Sequence, residues 1–545
     1  MSTLRETGMR WIEKWLNYRP MTVVSILMGF ACAKIVYRLY IWPYFLSPMR
    51  HAPGPPLGHP IYGQWPEIIR NEAGVVQREW AKKYGPTVRA IGPVGVERMT
   101  FLNPEAMHKI LISDCFDYPR PKFMRNILGL TAGFGLLTNT GDVHKQMRKA
   151  LNPAFSVANL TAQTDMYYEP INSLVKILKA EIGDQANPSE GKIFTMYDWL
   201  SKVTLDIICL TAFGYDTDSL HNPDNELADA YHHLLSLQSG KNLASLILLM
   251  SVPGFPSLMK TDWLYKRRHW FRVWRFLAPI EILLESMRRI KTISSQILRE
   301  RTQETASLIA AGDNTLRRDI MSLLVEARLR ESKDGFKMDD AMMLEHFLTF
   351  LGAGHETTAS GIAWTLWLLA INPEVQQKLR EEVRMHLANN PTPDYKSLKQ
   401  MEYLEHVVME ALRLYPPVPM TLRKATKNDY IDGIMVMKGT IVYIPIRVVN
   451  TYQGFWGADA EEFRPERWEK LPDTIHPTLS FMSFIAGPHH CIGKTMAVVE
   501  MKAVLAILIS QFSFEPAYPG QKAKPTTAIT MKPEDDLPLR VKIVQ

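Results

Sequence analysis

Length, composition and charge place this chain among ordinary globular proteins. Of its 545 residues, 46% are hydrophobic and 22% are charged, so it is not predicted to be disordered. The formal net charge of +7 is modest and is not gathered into long basic runs, which argues against nucleic acid as the main partner. The four cysteines are widely scattered, unlike the disulfide framework of a small secreted protein.

The N-terminal region has the pattern of a membrane anchor. Residues 1–19 place aromatic and apolar side chains between charged ones, which suits an interfacial segment. Residues 20–46 follow, and their only charges are Lys34 and Arg38. Because a span needs about 20 mostly apolar residues, we predict a single membrane anchor here, with a surface-lying helix as the alternative. A cleaved signal peptide fits less well, since no small-residue cleavage site is clear.

Residues 47–60 read Ser-Pro-Met-Arg-His-Ala-Pro-Gly-Pro-Pro-Leu-Gly-His-Pro. Proline removes a backbone donor and restricts the residue before it, so this stretch is not expected to be helical. It predicts a stiff, proline-rich hinge between the anchor and the body of the protein. That body, residues 61–545, shows no internal repeat or low-complexity linker, so we predict one domain.

The body begins with short strands. Two β-like runs, Thr87–Ile91 and Val94–Leu102, are joined at a Gly-Pro pair, and Asn103 with the proline after it marks a helix start. Residues Asp114–Leu137 are rich in proline, glycine and aromatic side chains, which predicts a long irregular loop. Long loops in compact proteins are often functional.

A basic helix comes next, over Asp142–Phe155. It carries His144 and Arg148, which lie on one face because they are four residues apart. They could form a solvated basic surface or bind an anionic group. Residues 161–309 are then mostly helical in pattern, with a proline break at 251–257.

Asp339–Leu369 contains no proline and predicts an unusually long helix. Its middle reads Ala-Gly-His-Glu-Thr-Thr, and the glycine, Gly354, costs about 1 kcal/mol relative to alanine. Small residues would let a ligand approach the backbone, while the Thr357 hydroxyl can compete for the carbonyl four residues earlier. Glu356 and Thr357 could together relay protons. The alternative is a core helix that tolerates a glycine.

Residues Tyr403–Leu414 predict another helix, which ends at a Pro-Pro pair. It holds Glu410 and Arg413 among apolar neighbours, so this pair is predicted to be buried and must then be part of a larger network to be tolerated. The stretch after it reads as short strands with turns at Asp432-Gly433 and Lys438-Gly439.

The segment Phe484–Gly493 reads Phe-Ile-Ala-Gly-Pro-His-His-Cys-Ile-Gly. Gly487 permits a left-handed turn before Cys491, and Gly493 lets the backbone come close just after it. A helical, largely apolar run starts at Lys494, so the cysteine would precede a helix start, which favours a thiolate. The alternatives are a loop cysteine that merely packs and, less well supported by the spacing, a zinc site with the adjacent histidines.

Several motifs resemble those of the cytochromes P450. The strongest is Phe-x-x-Gly-x-x-x-Cys-x-Gly-x-x-x-Ala, filled by Phe484, Gly487, Cys491, Gly493 and Ala497, which resembles the haem-binding loop. The Ala-Gly-x-Glu-Thr and Glu-x-x-Arg motifs also match, with Arg467 of a Pro-Glu-Arg segment completing the second. The resemblance implies a cytochrome P450 fold, mainly α with small β-sheets, and makes residues 61–545 a haem-thiolate catalytic domain.

The resemblance also implies site residues. Cys491 would be the axial ligand of the iron of haem b, and Glu356 and Thr357 would deliver protons to iron-bound dioxygen. The haem propionates would be held by His144, Arg148, Arg423 and His489. Two of these depart from the family pattern: His144 stands where tryptophan is usual, and His489 where arginine is frequent. By the same resemblance, the candidate pocket residues are Phe123, Phe350, Leu351, Val418, Met420 and Ile529.

The implied function is insertion of one oxygen atom from O2 into an apolar substrate, in one or successive oxidations. The motifs are most similar to fungal microsomal members, which favours a terpenoid or other secondary metabolite, with fatty-acid or xenobiotic hydroxylation and a reductase-independent haem-thiolate isomerase or dehydratase as alternatives. Electrons would come from NADPH through NADPH–cytochrome P450 reductase, with cytochrome b5 as an additional donor. The chain would be a single-pass protein of the endoplasmic reticulum membrane with its catalytic domain in the cytoplasm.

Overall fold

The computed structural model describes residues 20–544, apart from residues 223, 238–239, 253, 274–276, 312–318, 331–337 and 527–528. The predicted interfacial segment, residues 1–19, lies outside the described residues.

Most of the described residues lie in helices. The α-helices are α1 (Pro20–Val36), α2 (Trp65–Arg70), α3 (Val75–Tyr84), α4 (Pro104–His108), α5 (Lys122–Ala132), α6 (Gly141–Leu151), α7 (Val157–Gln163), α8 (Tyr168–Gly183), α9 (Met196–Phe213), α10 (Glu226–Ser236), α11 (Gly240–Met250), α12 (Phe255–Leu258), α13 (Asp262–Lys266), α14 (Ala278–Ala310), α15 (Ile320–Arg330), α16 (Asp340–Ile371), α17 (Pro373–Leu387), α18 (Tyr395–Gln400), α19 (Glu402–Leu414), α20 (Ile446–Val449), α21 (Gln453–Trp456) and α22 (Lys494–Gln511).

The strands form small sheets at the edges of this helical body. They are β1 (Thr87–Ile91), β2 (Glu97–Phe101), β3 (Lys192–Thr195), β4 (Thr421–Lys424), β5 (Asp429–Ile431), β6 (Ile434–Val436), β7 (Ile441–Ile444), β8 (Phe512–Pro516) and β9 (Pro538–Ile543). One sheet has the order β1-β2-β7-β4, a second has the order β3-β9-β8, and β5 pairs with β6. This architecture confirms the predicted fold class, mainly α with small β-sheets.

The turn between β5 and β6 forms as the sequence predicts. Ile431 pairs with Ile434, which leaves a two-residue loop. Asp432 and Gly433 both adopt positive φ, at 50° and 73°. Two positive φ values are what a type I′ hairpin turn requires, and an Asp-Gly pair supplies them at low cost.

Helix α16 runs through the core, as predicted for residues 339–369. The Asp339 side chain caps its start by accepting a hydrogen bond from the Met342 N–H at 2.7 Å. Its C-terminal half is buried among other helices, where the Trp364 indole N–H donates to the Met531 carbonyl at 2.6 Å. The buried helix therefore positions its central motif rigidly.

The prediction of an irregular loop over 114–137 is wrong in part, because α5 occupies residues 122–132. Gly129 weakens the helical signal in the sequence, but a Cβ at this position would lie 2.2 Å from the Phe134 ring. The glycine is therefore explained by the return of the chain over the helix. Burial of Ile127 and Leu130 on one face stabilises the helix, so tertiary packing overrides local preference.

The predicted Glu-x-x-Arg pair is fully buried within a network, which we call the brace. Arg413 donates twice to Glu410, at 2.8 Å each, and Arg467 donates to the same carboxylate at 3.3 Å. The other N–H groups of Arg413 go to the backbone carbonyls of Asn450, Ala460 and Glu462. All five guanidinium donors are thus satisfied, as burial of this pair requires. The brace fixes α19 to the chain segment that leads to the cysteine loop.

Among the described residues, one helical stretch is long and apolar enough to cross a membrane, Thr22–Leu46. It combines α1 with a π-helical continuation, Tyr37–Leu46. The α1 side chains described are exposed, whereas Leu39 and Pro43 are buried against the body. The exposed apolar helix is consistent with a membrane anchor.

The end of this stretch docks on the sheet through the carboxylate of Glu97, an arrangement that we call the anchor clamp. Trp42 donates its indole N–H to Glu97 at 3.0 Å, and the Ser47 hydroxyl donates at 2.7 Å. Arg89 pairs with Glu97 at 2.7 Å and donates to the Pro43 carbonyl at 2.6 Å. The hinge that follows has one short 3-10 turn, over 48–51, and is otherwise without helix.

Replacing Glu97 by alanine is expected to release the anchor from the sheet. Hydrogen bonds to a charged group contribute about 1.5–3 kcal/mol each, and about 1.4 kcal/mol corresponds to a factor of ten. Trypsin should therefore cut after the exposed Arg50 at least about tenfold faster in the detergent-solubilised full chain. The matched control is Glu105→Ala, which removes an exposed carboxylate. Equal cleavage of the two variants would contradict the clamp.

Candidate functional site

A cavity of about 460 Å³ lies between the middle of α16 and the cysteine loop. Cys491 lines it, together with Glu356 and Thr357 of α16. Its remaining walls are mainly apolar and include Phe123, Ile127, Leu136, Phe350, Val418, Met420 and Ile529. The fold therefore brings the predicted cysteine and the predicted α16 motif to one apolar space.

The cysteine loop is a tight turn held by its own backbone. The Cys491 N–H donates to the Phe484 carbonyl at 2.9 Å, and the His490 N–H donates to the Gly487 carbonyl at 3.0 Å. Gly487 has φ of 76°, and a Cβ there would lie 2.0 Å from the Leu111 carbonyl oxygen. Only glycine fits at this position without a shift of the backbone.

The surroundings of Cys491 have opposing effects on the pKa of its thiol. The Cys491 side chain is exposed toward the cavity. The protein packed around it still raises the pKa of the thiol by desolvation, whereas a hydrogen bond from the Gly493 N–H and the charges of Arg148 and Lys494 act in the opposite direction. Helix α22 starts at Lys494, as predicted. Gly493 lines the cavity and a Cβ there would meet no protein atom within 4 Å, so this face of the loop is open to a ligand.

A cluster of nitrogen-bearing side chains borders the cavity next to the cysteine. The ring centroids of His144 and His489 are 4.0 Å apart. Arg148 donates to the His490 carbonyl at 2.6 Å and contacts the ring Nε2 of the same residue at 2.7 Å. Burial and neighbouring cations lower the pKa of His144 to about 4 and that of His489 to about 3. Both histidines are therefore neutral at pH 7.

Two further arginines stand close to this cluster with no carboxylate partner among the described residues. Arg120 lines the cavity and donates to the Leu137 carbonyl at 3.0 Å; burial lowers its pKa to about 10. Arg423 is buried beside it and bonds only to Thr421 and the Leu422 carbonyl. Burial, with repulsion by Arg120, lowers the pKa of Arg423 to about 9. Buried cations that repel each other are energetically costly unless an anion neutralises them. The arrangement therefore favours binding of an anionic group at this border of the cavity.

The α16 motif shows one predicted contact and one unexpected one. The Thr357 hydroxyl donates to the Ala353 carbonyl at 2.8 Å, as predicted. Gly354 lines the cavity, but a Cβ there would lie 2.9 Å from the side chain of Ile208 on α9. The glycine is thus required at least as much for packing of α9 against α16 as for access of a ligand.

Glu356 is buried and has a hydroxyl partner from a distant part of the chain. The Thr530 hydroxyl donates to its Oε1 at 2.6 Å. Thr530 also lines the cavity. The hydrogen bond fixes the Glu356 carboxyl at the cavity wall, which Thr357 also lines, so an acid and a hydroxyl that can hold and pass protons border the same space.

The donor set fits haem better than a metal ion bound by the protein alone. Within the described ranges there is no group of three or more histidine, cysteine, aspartate or glutamate side chains that could hold a metal ion. A single thiol at an apolar cavity, with unpaired cations at one border, matches a flat apolar cofactor that carries its own iron and has anionic groups at one edge.

A model of the cytochrome P450 family matches residues 53–538. The chain belongs to the cytochrome P450 family. This P450 is 33% identical to cytochrome P450 monooxygenase 205 of Postia placenta, over 93% of this chain and 95% of the relative. It is also 29% identical to the monooxygenase sphH of Aspergillus fumigatus, over 95% and 92% of the two chains, and 29% identical to a ganoderic acid synthetase of Ganoderma lucidum, over 90% and 92%.

Family membership confirms the predicted fold and enzyme class. The chain is a cytochrome P450 monooxygenase by family, which is an oxidoreductase, and the family uses haem iron. The three relatives named above are fungal, as the motifs indicated.

The structure brings most of the predicted site residues to the cavity. Those that line it are Cys491, Glu356, Thr357, His144, Arg148, His489, Phe484 and Gly493. Gly487 and Arg423 are not in the lining; Gly487 lies in the cysteine loop, and Arg423 donates a hydrogen bond to Thr421, which does line the cavity. The prediction that Leu351 lines the pocket is wrong. Its side chain is buried in the helical core, whereas that of the preceding residue, Phe350, lines the cavity. The motifs in the sequence do not indicate Arg120 or Thr530 as site residues, although the position of Arg120 between two prolines of a loop is a usable signal.

Proposed function

We propose that this P450 is a membrane-anchored monooxygenase that inserts one oxygen atom from O2 into an apolar substrate. The observation that carries the proposal is the juxtaposition of the Cys491 thiol, an apolar cavity and arginines that have no anionic partner within the described part of the chain. When bound, haem b supplies the oxygen chemistry, which a thiolate ligand promotes. Cys491 would be that ligand, with Phe484, Gly487 and Gly493 shaping its loop.

The haem propionates would be held by Arg120, Arg148, Arg423, His144 and His489. The histidines fit this role because a neutral imidazole still donates one N–H. On the opposite wall, Glu356 would hold a proton and Thr357 would hand it toward the cavity. Thr530 would keep the Glu356 carboxyl in place, through the bond at 2.6 Å.

The substrate that fits is apolar, since the cavity wall is mainly apolar. One relative is a ganoderic acid synthetase, and others are fungal monooxygenases. A terpenoid or other secondary metabolite is therefore the substrate class that we propose, oxidised in one or successive steps. A fatty acid or a xenobiotic is the alternative within the same reaction class.

Electrons would come from NADPH through a membrane-bound cytochrome P450 reductase, with cytochrome b5 as an additional donor. The exposed Lys145 and Lys149 lie on α6, the helix that also carries Arg148, and would suit an acidic donor surface. The anchor at residues 20–46 would place the protein in the endoplasmic reticulum membrane as a single-pass protein, with the catalytic domain in the cytoplasm.

The absorption spectrum of the reduced, carbon-monoxide-treated full chain tests this proposal. We expect a far-red-shifted Soret band that Cys491→Ser abolishes, because a serine hydroxyl cannot supply the thiolate. Cys32→Ser is the matched control, since Cys32 is exposed in the anchor, and should leave the band unchanged. Absence of the band from haem-supplied wild-type protein would overturn the proposal. NADPH consumption that does not require the reductase would contradict the proposed electron route.

A further inference from the structure

Arg98 lines the cavity away from the basic cluster. It lies on β2, one residue after Glu97, and alternation along a strand sends the two side chains to opposite faces. Glu97 belongs to the anchor clamp, whereas Arg98 shares the cavity wall with Trp65, Ile68 and Ile69 of α2. The guanidinium therefore faces an otherwise largely apolar part of the cavity.

Arg98 has no hydrogen-bond partner and no ion-pair partner among the described residues. Its Nε is buried and unpaired. Its guanidinium carbon lies 5.3 Å from the ring centroid of Trp65, and a Cβ at Gly92 would lie 2.6 Å from its Nε. The glycine thus gives the guanidinium room to lie against the backbone. Burial lowers the pKa of Arg98, and Tyr443 partly opposes this effect.

The other charged groups of the cavity wall do not neutralise Arg98. Arg120 and Arg148 lie in the basic cluster, and Glu356 accepts from Thr530. Glu500 also lines the cavity, and burial raises the pKa of its carboxyl well above the usual range, which favours the neutral acid over a counter-ion for Arg98. Near Arg98, the Gln77 side chain donates to the Tyr443 hydroxyl at 3.4 Å and leaves its own oxygen unpaired. Gln77 is not part of the cavity wall, so Arg98 is the cation that this largely apolar end of the cavity leaves without a partner among the described residues.

We propose that Arg98 binds the carboxylate of an apolar acid and that such acids are the preferred substrates of this enzyme. A guanidinium whose Nε is buried, and that has no counter-ion among the described residues, is costly, and a carboxylate accepts from it in a planar, two-pronged geometry. The apolar part of the acid would then extend along the cavity toward the Cys491 side. The inference rests on the proposed function and narrows its substrate class.

Ligand binding to the haem-loaded full chain tests the inference. The probes are dodecanoic acid and abietic acid, each compared with its methyl ester, and the readout is the dissociation constant from the change in the haem absorption spectrum. Because a hydrogen bond to a charged group is stronger than one between neutral groups, we expect each acid to bind about 10- to 100-fold more tightly than its ester. Arg98→Gln should remove this preference, and Arg98→Lys should retain part of it.

The control is Arg70→Gln, which removes an exposed charge from neighbouring α2 and should keep the preference for acids. If the wild-type enzyme binds esters as tightly as acids, or if Arg98→Gln keeps the preference, the inference is wrong. The carbon-monoxide spectrum separates this failure from failure of the proposed function. A normal Soret band in an enzyme that does not prefer acids overturns only the role of Arg98. A missing band overturns the proposed function together with the role of Arg98.

Discussion

Replacing Glu410 by alanine should cost about 3–5 kcal/mol of folding free energy, because it leaves a fully buried guanidinium without its counter-ion. Arg413 would lose two of its five hydrogen bonds and Arg467 would lose one, while the Trp468 indole would lose its acceptor at 3.0 Å. Since proteins are stable by only about 5–15 kcal/mol, most of the chain should fail to accumulate with haem. The measurement is the Soret absorbance of reduced, carbon-monoxide-treated protein per mole of expressed chain.

The control is a glutamate that pairs with a cation at the surface. Lys192 and Glu181 have side chains that are 33% and 48% exposed, so Glu181→Ala should cost less than about 1 kcal/mol and leave the haem content unchanged. Glu410→Asp keeps the charge and should show an intermediate yield. If Glu410→Ala accumulates as much haem protein as Glu181→Ala, the brace does not have the structural role that its burial indicates.

The parts of this fold that the sequence predicts correctly are those with local signals. A long proline-free run predicts α16, and an Asp-Gly pair predicts the turn between β5 and β6. The pair Glu410 and Arg413 could be predicted to be buried because its immediate neighbours are apolar. Cys491 could be placed before a helix start because the glycines and the apolar run lie within a few residues of it.

The parts that the sequence does not predict depend on contacts between distant residues. Thr530 meets Glu356 across 174 positions of the chain, and nothing near Thr530 marks it. Ile208 explains Gly354 only once α9 and α16 pack together. Arg98 looks like any polar residue of a short strand, and its isolation in a cavity is visible only when α2 covers the sheet. Pairwise proximity in space, not residue type, determines these roles.

Replacing Arg120 by glutamine should accelerate loss of haem. If this arginine holds a propionate, its removal forfeits a charge-assisted contact worth about 1.5–3 kcal/mol, which corresponds to about 10- to 100-fold faster transfer of haem to an excess of apomyoglobin. Arg423→Gln should act in the same direction. The double variant need not show the product of the two effects, since Arg120 and Arg423 repel each other in the protein and neighbouring sites are not additive.

The cavity itself supplies the matched control for this experiment. Arg98→Gln also removes a cation from the cavity wall, but from outside the basic cluster, so haem transfer should stay at the wild-type rate. Arg120→Lys keeps a charge without the planar fork and should be slower to lose haem than Arg120→Gln. Equal transfer rates for Arg98→Gln and Arg120→Gln would show that cavity charge in general, and not a contact of Arg120, retains the cofactor. A wild-type rate for Arg120→Gln would remove this residue from the haem site. An effect confined to the arginines of the basic cluster would divide the cavity cations into two functions, with one set for the cofactor and Arg98 for the substrate.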